Sequence, residues 1–281
     1  MKLIADSGST KTDWAIIDDG KAVRMIATSG INPYYLSSES IREIITRELV
    51  PHTEPGKIRE IFFYGAGCST ENKTAVLKEH LKEHYHDAGI SINHDILGAA
   101  RALNGRKPGI ACILGTGSNS CVYDGEKVVG NISSLGFIFA DEGSGAYLGK
   151  NFLFRYFRKQ LPQEIQADFE NEFHLSLENI LDAVYNQPKP GRFLASFSKF
   201  MARHKEHPYI RTFLRDAFSE FLKNQVMQYP EYEKYPVNFT GSIAFVYSDI
   251  LHEAAVLCNI NIGRILKSPI EGLIEYHTKG L

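Results

Sequence analysis

Apolar residues near the start of the chain come in short runs separated by polar turns. Lys2-Leu3-Ile4-Ala5 predicts a strand stopping at Asp6, Asp13 to Ile17 a second, and Ala22 to Ala27 a third. Asp18-Asp19-Gly20 between the last two signals a hairpin, because Asp and Gly tolerate the positive φ that tight hairpin turns require. The period then changes. Ile41, Ile44, Ile45 and Leu49 recur at helical spacing behind the capping candidates Ser37 and Ser38. Ile61-Phe62-Phe63-Tyr64 reads as a buried strand, and Leu77, Leu81 and Tyr85 mark a helix. A short strand at Ile90 to Ile92 leads through Asn93-His94-Asp95 into a helix ending near Leu103.

Asn104-Gly105 and Lys107-Pro108-Gly109 break the chain, and the same order returns after them. Ile110 to Leu114 predicts a strand running into Gly115-Thr116-Gly117-Ser118-Asn119. A second strand reaches Val122-Tyr123, Asp124-Gly125 marks a turn, and a third spans about Lys127 to Ile132. A helix is expected after Asp141-Glu142-Gly143, and residues 151–230 are helical in pattern and read as an insertion. Val237 to Thr240 resumes as a strand, followed by a helix after Gly241-Ser242, a strand at Ile260 to Ile265 and a last helix from about Pro269. Each half reads strand-strand-strand-helix-strand-helix-strand-helix. The pattern predicts an α/β protein of two similar lobes. The first covers residues 1–106 and the second 107–268, and the final helix, about 269–281, is expected to pack back on the first lobe.

Composition narrows the chemistry. The 281 residues include 31 Lys+Arg and 33 Asp+Glu, a net charge of −2. That balance argues against general nucleic-acid binding, which needs a basic face. Cys68, Cys112, Cys121 and Cys258 have neither zinc-type spacing nor the density of a disulfide framework. Leu3-Ile4-Ala5 is too short for the core of a signal peptide, and no apolar run is long enough to span a membrane. A reduced, cytoplasmic protein is expected. His80, His84 and His86 lie among Lys78, Glu79, Lys82 and Glu83, which predicts a solvated helix face and not a metal site.

The recurring turns carry the candidate chemistry. Gly8 with Ser7, Ser9, Thr10 and Thr12, and Gly115-Thr116-Gly117-Ser118, combine close backbone approach with small hydroxyl donors. Successive N–H groups in such turns suit a phosphate, although each alone also reads as an ordinary hairpin turn. Neither is a Walker A sequence. Asp6, at the end of the first strand, suits Mg²⁺ held through water, or simply opens the turn.

Asp6-Ser7-Gly8-Ser9-Thr10-Lys11-Thr12, Leu114-Gly115-Thr116-Gly117-Ser118-Asn119 and Asp141-Glu142-Gly143-Ser144-Gly145 resemble the phosphate and sugar motifs of the N-acetylglucosamine kinase family. This family lies among the BadF/BadG-type ATPases of the actin, heat-shock chaperone and sugar kinase superfamily. The resemblance implies two ribonuclease-H-like (actin-like ATPase) lobes around a nucleotide cleft, with domain closure on ATP-Mg²⁺ and an acceptor sugar. Phosphate would pass to the 6-hydroxyl of N-acetylglucosamine or a related amino sugar. It also implies a role for each motif residue. Gly8, Ser9, Thr10, Lys11, Thr12, Gly115, Thr116 and Gly117 would hold the ATP phosphates, and Gly241, Ser242 and Ala244 the adenosine. Asn32, Gly67, Asp95, Ser118, Asn119, Gly136 and Asp141 would line the sugar site, and Asp95 would be the catalytic base. Asp95 and Asp141 each also read as a helix cap, and Lys11 as a solvated turn lysine. The partners expected are ATP and a small sugar, with no nucleic acid or membrane, and a homodimer is compatible with the sequence. Two other functions fit the superfamily. One is an ATPase activator of an acyl-CoA reductase or dehydratase system, and the other a non-catalytic sugar sensor. The chain starts directly on its first strand, where a sugar-responsive repressor would add a DNA-binding module.

Overall fold

In the computed structural model, which describes residues 1–68 and 70–278, the apolar runs form two five-stranded sheets. The chain begins β1 (Lys2–Ser7), β2 (Lys11–Asp18), β3 (Lys21–Ser29), α1 (Ser38–Ile44), β4 (Glu60–Gly65), α2 (Glu71–Lys82), β5 (Gly89–His94) and α3 (Asp95–Asn104). It continues β6 (Gly109–Leu114), β7 (Ser118–Tyr123), β8 (Val128–Asn131), α4 (Gly136–Phe139) and α5 (Gly145–Phe157). The helical stretch follows as α6 (Gln163–Phe173), α7 (Leu177–Tyr185), α8 (Pro190–Ser196), α9 (Ser198–Arg203) and α10 (Pro208–Asn224). The chain closes with β9 (Val237–Thr240), α11 (Ser242–Val246), α12 (Ser248–Leu257), β10 (Ile262–Leu266) and α13 (Ile270–Thr278).

The first sheet has the order β3-β2-β1-β4-β5 and the second β8-β7-β6-β9-β10. Counted from each half's first strand, both read 3-2-1-4-5, so the duplication seen as pattern is one of topology. β1 and β2 are antiparallel, as are β2 and β3, whereas β1, β4 and β5 run parallel, and so do β6, β9 and β10. The pairings Ser7↔Gly65 and Gly65↔His94 bring the carboxyl ends of β1, β4 and β5 to one edge. Open α/β sheets bind ligands beyond that edge.

The chain divides into two compact units. One holds Met1–Gly109, Tyr123–Val129 and the residues from Ser268 on, and the other Ile110–Val122 and Gly130–Lys267. In the first, Trp14 is fully buried, its ring 5.6 Å from Phe63 and its indole N–H donating to Thr28 Oγ1 at 3.0 Å. In the second, the inserted helices bury an aromatic core. Phe169 lies 5.0 Å from Phe152 and 5.2 Å from Phe200, each pair edge-to-face, the geometry aromatic quadrupoles prefer.

Helix α13 packs on α3 within the first unit. A Cβ at Gly272 would lie 2.3 Å from the Ala102 carbonyl oxygen, so only glycine admits this approach. Arg101 Nη1 donates to the Tyr64 hydroxyl at 2.8 Å, which leaves the phenolic proton for His277 Nε2 at 2.9 Å. The imidazole stacks on Phe62 at 4.1 Å. Burial, then Arg101, Lys2 and Arg106, hold its pKa down to about 4, so the docked ring is neutral. The unfolded chain takes up that proton near the ordinary value of 6.5, so stability present above it is lost as pH falls toward 4. After allowance for solvent screening, wild type should lose up to about 2 kcal/mol more across this window than His277→Gln. Urea midpoints measured from pH 7 to pH 4 check this.

Three details differ from the sequence expectations. Asp124 Oδ1 accepts the N–H groups of Glu126 and Lys127, at 2.9 and 2.8 Å, which widens the loop so that β8 starts only at Val128. α4 is a single turn too short to show a period, and Ile138 and Phe139 are exposed on it. His80 leaves the solvated face, being 8% exposed. Its ring nitrogens sit 2.8 Å from Ser38 Oγ and 3.0 Å from Glu83 Oε1, which pins α1 to α2. Among the described residues no helix is long and apolar enough to cross a membrane.

Candidate active site

In the first unit the turn after β1 closes when the Gly8 N–H donates to the Lys11 carbonyl at 3.0 Å. Gly30 packs against it from below, its N–H donating to Thr10 O at 3.2 Å. Ser9, Thr10 and Lys11 remain at least partly exposed, with Lys11 Nζ 2.7 Å from Asp13 Oδ1. Thr12 is fully buried, with Oγ1 2.6 Å from Ser7 Oγ. It was expected to face phosphate, and instead it holds the turn from behind.

The strand ends gather carboxylates. Asp6 pairs with Asp13 in the β1/β2 register, and Asp95 opens α3 directly after β5. Burial, then repulsion from Asp95 and Asp13, pushes the Asp6 pKa up to about 7, against weaker help from Ser268 and Lys11. Burial raises Asp95 as well, opposed by the Ile96 N–H that its Oδ1 accepts at 2.8 Å. The N-cap of α3 is His94, and Asp95, as the first helical residue, accepts the N–H of the next residue, so the cap expected at Asp95 is not formed. That leaves its other oxygen and the repulsion with Asp6 unexplained by capping. A cation would relieve this repulsion. Among the described residues no three His, Cys, Asp or Glu side chains converge as a metal cage. Asp6 and Asp95 are hard oxygen donors of the kind Mg²⁺ takes, one or two at a time beside phosphate and its own waters.

Asn32, almost fully buried, joins this turn. Its Nδ2 donates to Ser9 Oγ at 3.0 Å and its Oδ1 accepts the Tyr34 N–H at 3.0 Å, which fixes the amide orientation. Gly67 has φ +78°, and a Cβ there would lie 2.1 Å from Asn32 Oδ1. Asn32, Ser9 and Gly67 thus meet.

In the second unit the Gly115 N–H donates to Gly117 O at 3.0 Å. The first N–H groups of α5, on Gly145 and Ala146, donate to Gly115 O and Thr116 O at 2.8 and 3.0 Å, anchoring the turn to a helix start. Gly241 meets it from the other side. Its φ is +116°, and a Cβ there would lie 2.2 Å from Leu114 O. Ser242 is exposed, whereas Ala244 has no exposed surface and packs in the core, so Ala244 supports the motif without facing adenosine.

Asp141 is not the cap of α5. Ser144 is, its Oγ accepting the Tyr147 N–H. Asp141 instead has φ +63° and its carboxylate lies against the glycine turn, where an added Gly117 Cβ would be 2.9 Å from Oδ2. Burial raises its pKa, opposed by the Ser118 N–H and the Ser134 hydroxyl. A left-handed aspartate with a raised pKa marks a site under constraint. Asn119 Oδ1 accepts from Ser120 N at 2.9 Å and Asn131 Nδ2 at 3.0 Å, and Gly136, φ +74°, begins α4 with open space beside it. Asp13, Gly30 and Ser134 also join these turns, and only strand register and through-space packing reveal them. All four cysteines are buried, so none is offered at the surface to bridge a cluster between subunits.

No protein-family model and no curated protein matches the chain. Among solved structures, a protein from Porphyromonas gingivalis provisionally named N-acetylglucosamine kinase is 42% identical, with 100% of this chain and 99% of that one covered and a TM-score of 0.95. A protein of the same provisional name from Chromobacterium violaceum is 16% identical over 98% of each chain, TM-score 0.76. MreB 5 of Spiroplasma citri, bound to AMPPNP, is 11% identical over 99% of this chain and 94% of that one, TM-score 0.62. The latter two share the fold. The extent of the first likeness, end to end, goes with motifs that the geometry draws together in each unit, and this chain belongs to the N-acetylglucosamine kinase family.

Proposed function

We propose that the protein is an ATP-dependent sugar kinase that transfers the γ-phosphoryl group to the 6-hydroxyl of N-acetylglucosamine. The observation that carries the reading is Asp95, a partly buried carboxylate at the carboxyl end of a parallel strand, repelled by Asp6 on the same edge. The 42% identical relative supports the substrate class. Asp95 takes the proton of the acceptor hydroxyl while the oxygen–phosphorus bond forms and the bond to the leaving ADP breaks. Burial lifts its pKa toward the working range, which favours a general base. Asp6 would hold Mg²⁺ through water, and Mg²⁺ when bound supplies charge neutralisation at the phosphates.

Ser9, Thr10 and Lys11 in one unit, and Thr116 and Gly117 in the other, offer backbone and hydroxyl donors to phosphate, and Gly8 and Gly115 shape those turns. Gly241 and Ser242 offer a flat surface to adenosine. Asn32 and Gly67 in the first unit, and Ser118, Asn119, Gly136 and Asp141 in the second, are the sugar-binding set. Asp141→Asn tests that set. Asparagine tolerates positive φ, so stability should change by under about 0.5 kcal/mol while sugar affinity falls about tenfold or more. Asp141→Ala should add about 1 kcal/mol of instability through strain at the same position. Calorimetric titration and thermal melts separate the two. The function itself is tested by coupled ADP release across hexoses and N-acetylhexosamines. Release specific to N-acetylglucosamine is expected, and no sugar-dependent release would refute the reading.

A further inference from the structure

Three hydroxyls and a glycine join the turn after β1 to the loop that carries Asn32. Ser7 Oγ donates to the Ile31 carbonyl at 3.0 Å. Thr12 Oγ1 lies 2.6 Å from Ser7 Oγ and also reaches the Ser29 carbonyl at 3.3 Å, so this hydroxyl ties β2 both to β1 and to the end of β3. The Ile31 N–H is shared between the two oxygens, 3.1 Å from Ser7 Oγ and 3.2 Å from Thr12 Oγ1. Both backbone groups of Ile31 are therefore held by β1 and β2 side chains. Ser7, Thr12 and Ile31 are all buried, which shields these bonds from bulk solvent. Gly30 is seated under the turn, and Asn32 Nδ2 donates to Ser9 Oγ at 3.0 Å, leaving the Ser9 proton for another acceptor.

We propose that Ser7 and Thr12 are positioning residues that weld the Asn32 loop to the phosphate turn, so that nucleotide and sugar are bound as a coupled pair. The inference rests on the function proposed above. A phosphate that orders Ser9 also orders Asn32, since one hydroxyl serves both, and the buried join keeps the loop from relaxing away. Linkage makes the effect reciprocal: sugar must tighten nucleotide by the same factor. Neither Ser7 nor Thr12 needs to touch either ligand.

The test is calorimetric titration of N-acetylglucosamine into the full chain with Mg²⁺, with and without AMPPNP. For wild type, AMPPNP should tighten sugar binding by about 5-fold to 50-fold, within the usual range of coupling. Thr12→Val keeps the shape and removes the hydroxyl, and should bring that ratio close to one while weakening sugar binding. Thr12→Ser restores the hydroxyl and should restore the ratio. Ser7→Ala, a smaller change, should match Thr12→Val and serves if the valine variant fails to fold. A structural role alone would lower the melting temperature of these variants and leave the ratio at its wild-type value, which would overturn the inference with the kinase reading intact. A wild type that binds sugar and nucleotide without coupling would also overturn it. A wild type that binds no sugar in either condition would defeat the kinase reading as well.

Discussion

Asp95→Asn should lower kcat about a thousandfold, with kcat/KM falling in parallel and sugar affinity nearly unchanged. General-base assistance is worth about 10² to 10⁴ in rate, and asparagine accepts no proton at working pH. Parallel loss of both constants is the mark of an interaction made only in the transition state. The helix start survives, because the asparagine oxygen still accepts the Ile96 N–H that Asp95 Oδ1 accepts at 2.8 Å. A second effect has the opposite sign. Asp6 owes part of its raised pKa to Asp95, so removing that charge relieves a repulsion within the first unit. The inactive variant should therefore melt slightly higher than wild type. A site that holds carboxylates together for chemistry does so at some expense of stability. Activity within about tenfold of wild type would remove Asp95 from the role of base.

Gly30→Ala should damage the protein at a place that touches no expected ligand. A Cβ there would lie 2.4 Å from the Gly8 carbonyl oxygen, 2.7 Å from Lys11 N and 2.7 Å from the Ser9 carbonyl carbon. All three are backbone atoms of the turn after β1, so no side chain can swing aside. The turn itself must move. Overpacking of this kind costs about 1–3 kcal/mol, or roughly 2–12 °C of melting temperature for a protein of this size. Nucleotide affinity should fall about tenfold or more, since donors in the turn lose their spacing. Gly56→Ala is the matched control, because nothing lies within 4 Å of a Cβ at Gly56 and its stability should stay within about 0.5 kcal/mol. Melts and AMPPNP titrations of the two variants side by side check the contrast.

Residues with a local reason for their type were legible in the sequence. Asp19 and Gly20 have φ of 45° and 73°, as an Asp-Gly hairpin turn demands, and Ser37 caps α1 through the Ser40 N–H. The order of strands and helices was legible for the same cause: burial imposes a period on each element separately. Residues with a reason far away in the chain were not. Gly30 is glycine because of the turn that begins at Gly8, Gly272 because of Ala102, and Gly241 because of Leu114. Asp141 was open to two readings, cap or ligand, because Asp141 and Ser144 are both good caps, and only the folded backbone, with φ +63° at Asp141 and the Tyr147 N–H on Ser144 Oγ, separates them. Thr12 and Ala244 share motifs with exposed neighbours, and strand alternation and helix facing turn these two inward.

The proposed transfer forms one particular bond, between the terminal phosphorus of ATP and the 6-oxygen of N-acetylglucosamine. Incubating the protein with ATP, Mg²⁺ and ¹³C-labelled N-acetylglucosamine, and reading phosphorus–carbon couplings of the product by NMR, tests it directly. Coupling should appear at C6 and C5, grow with time, and be absent with Asp95→Asn on the same timescale. Coupling at C1, or phosphate released with the sugar unchanged, would contradict it.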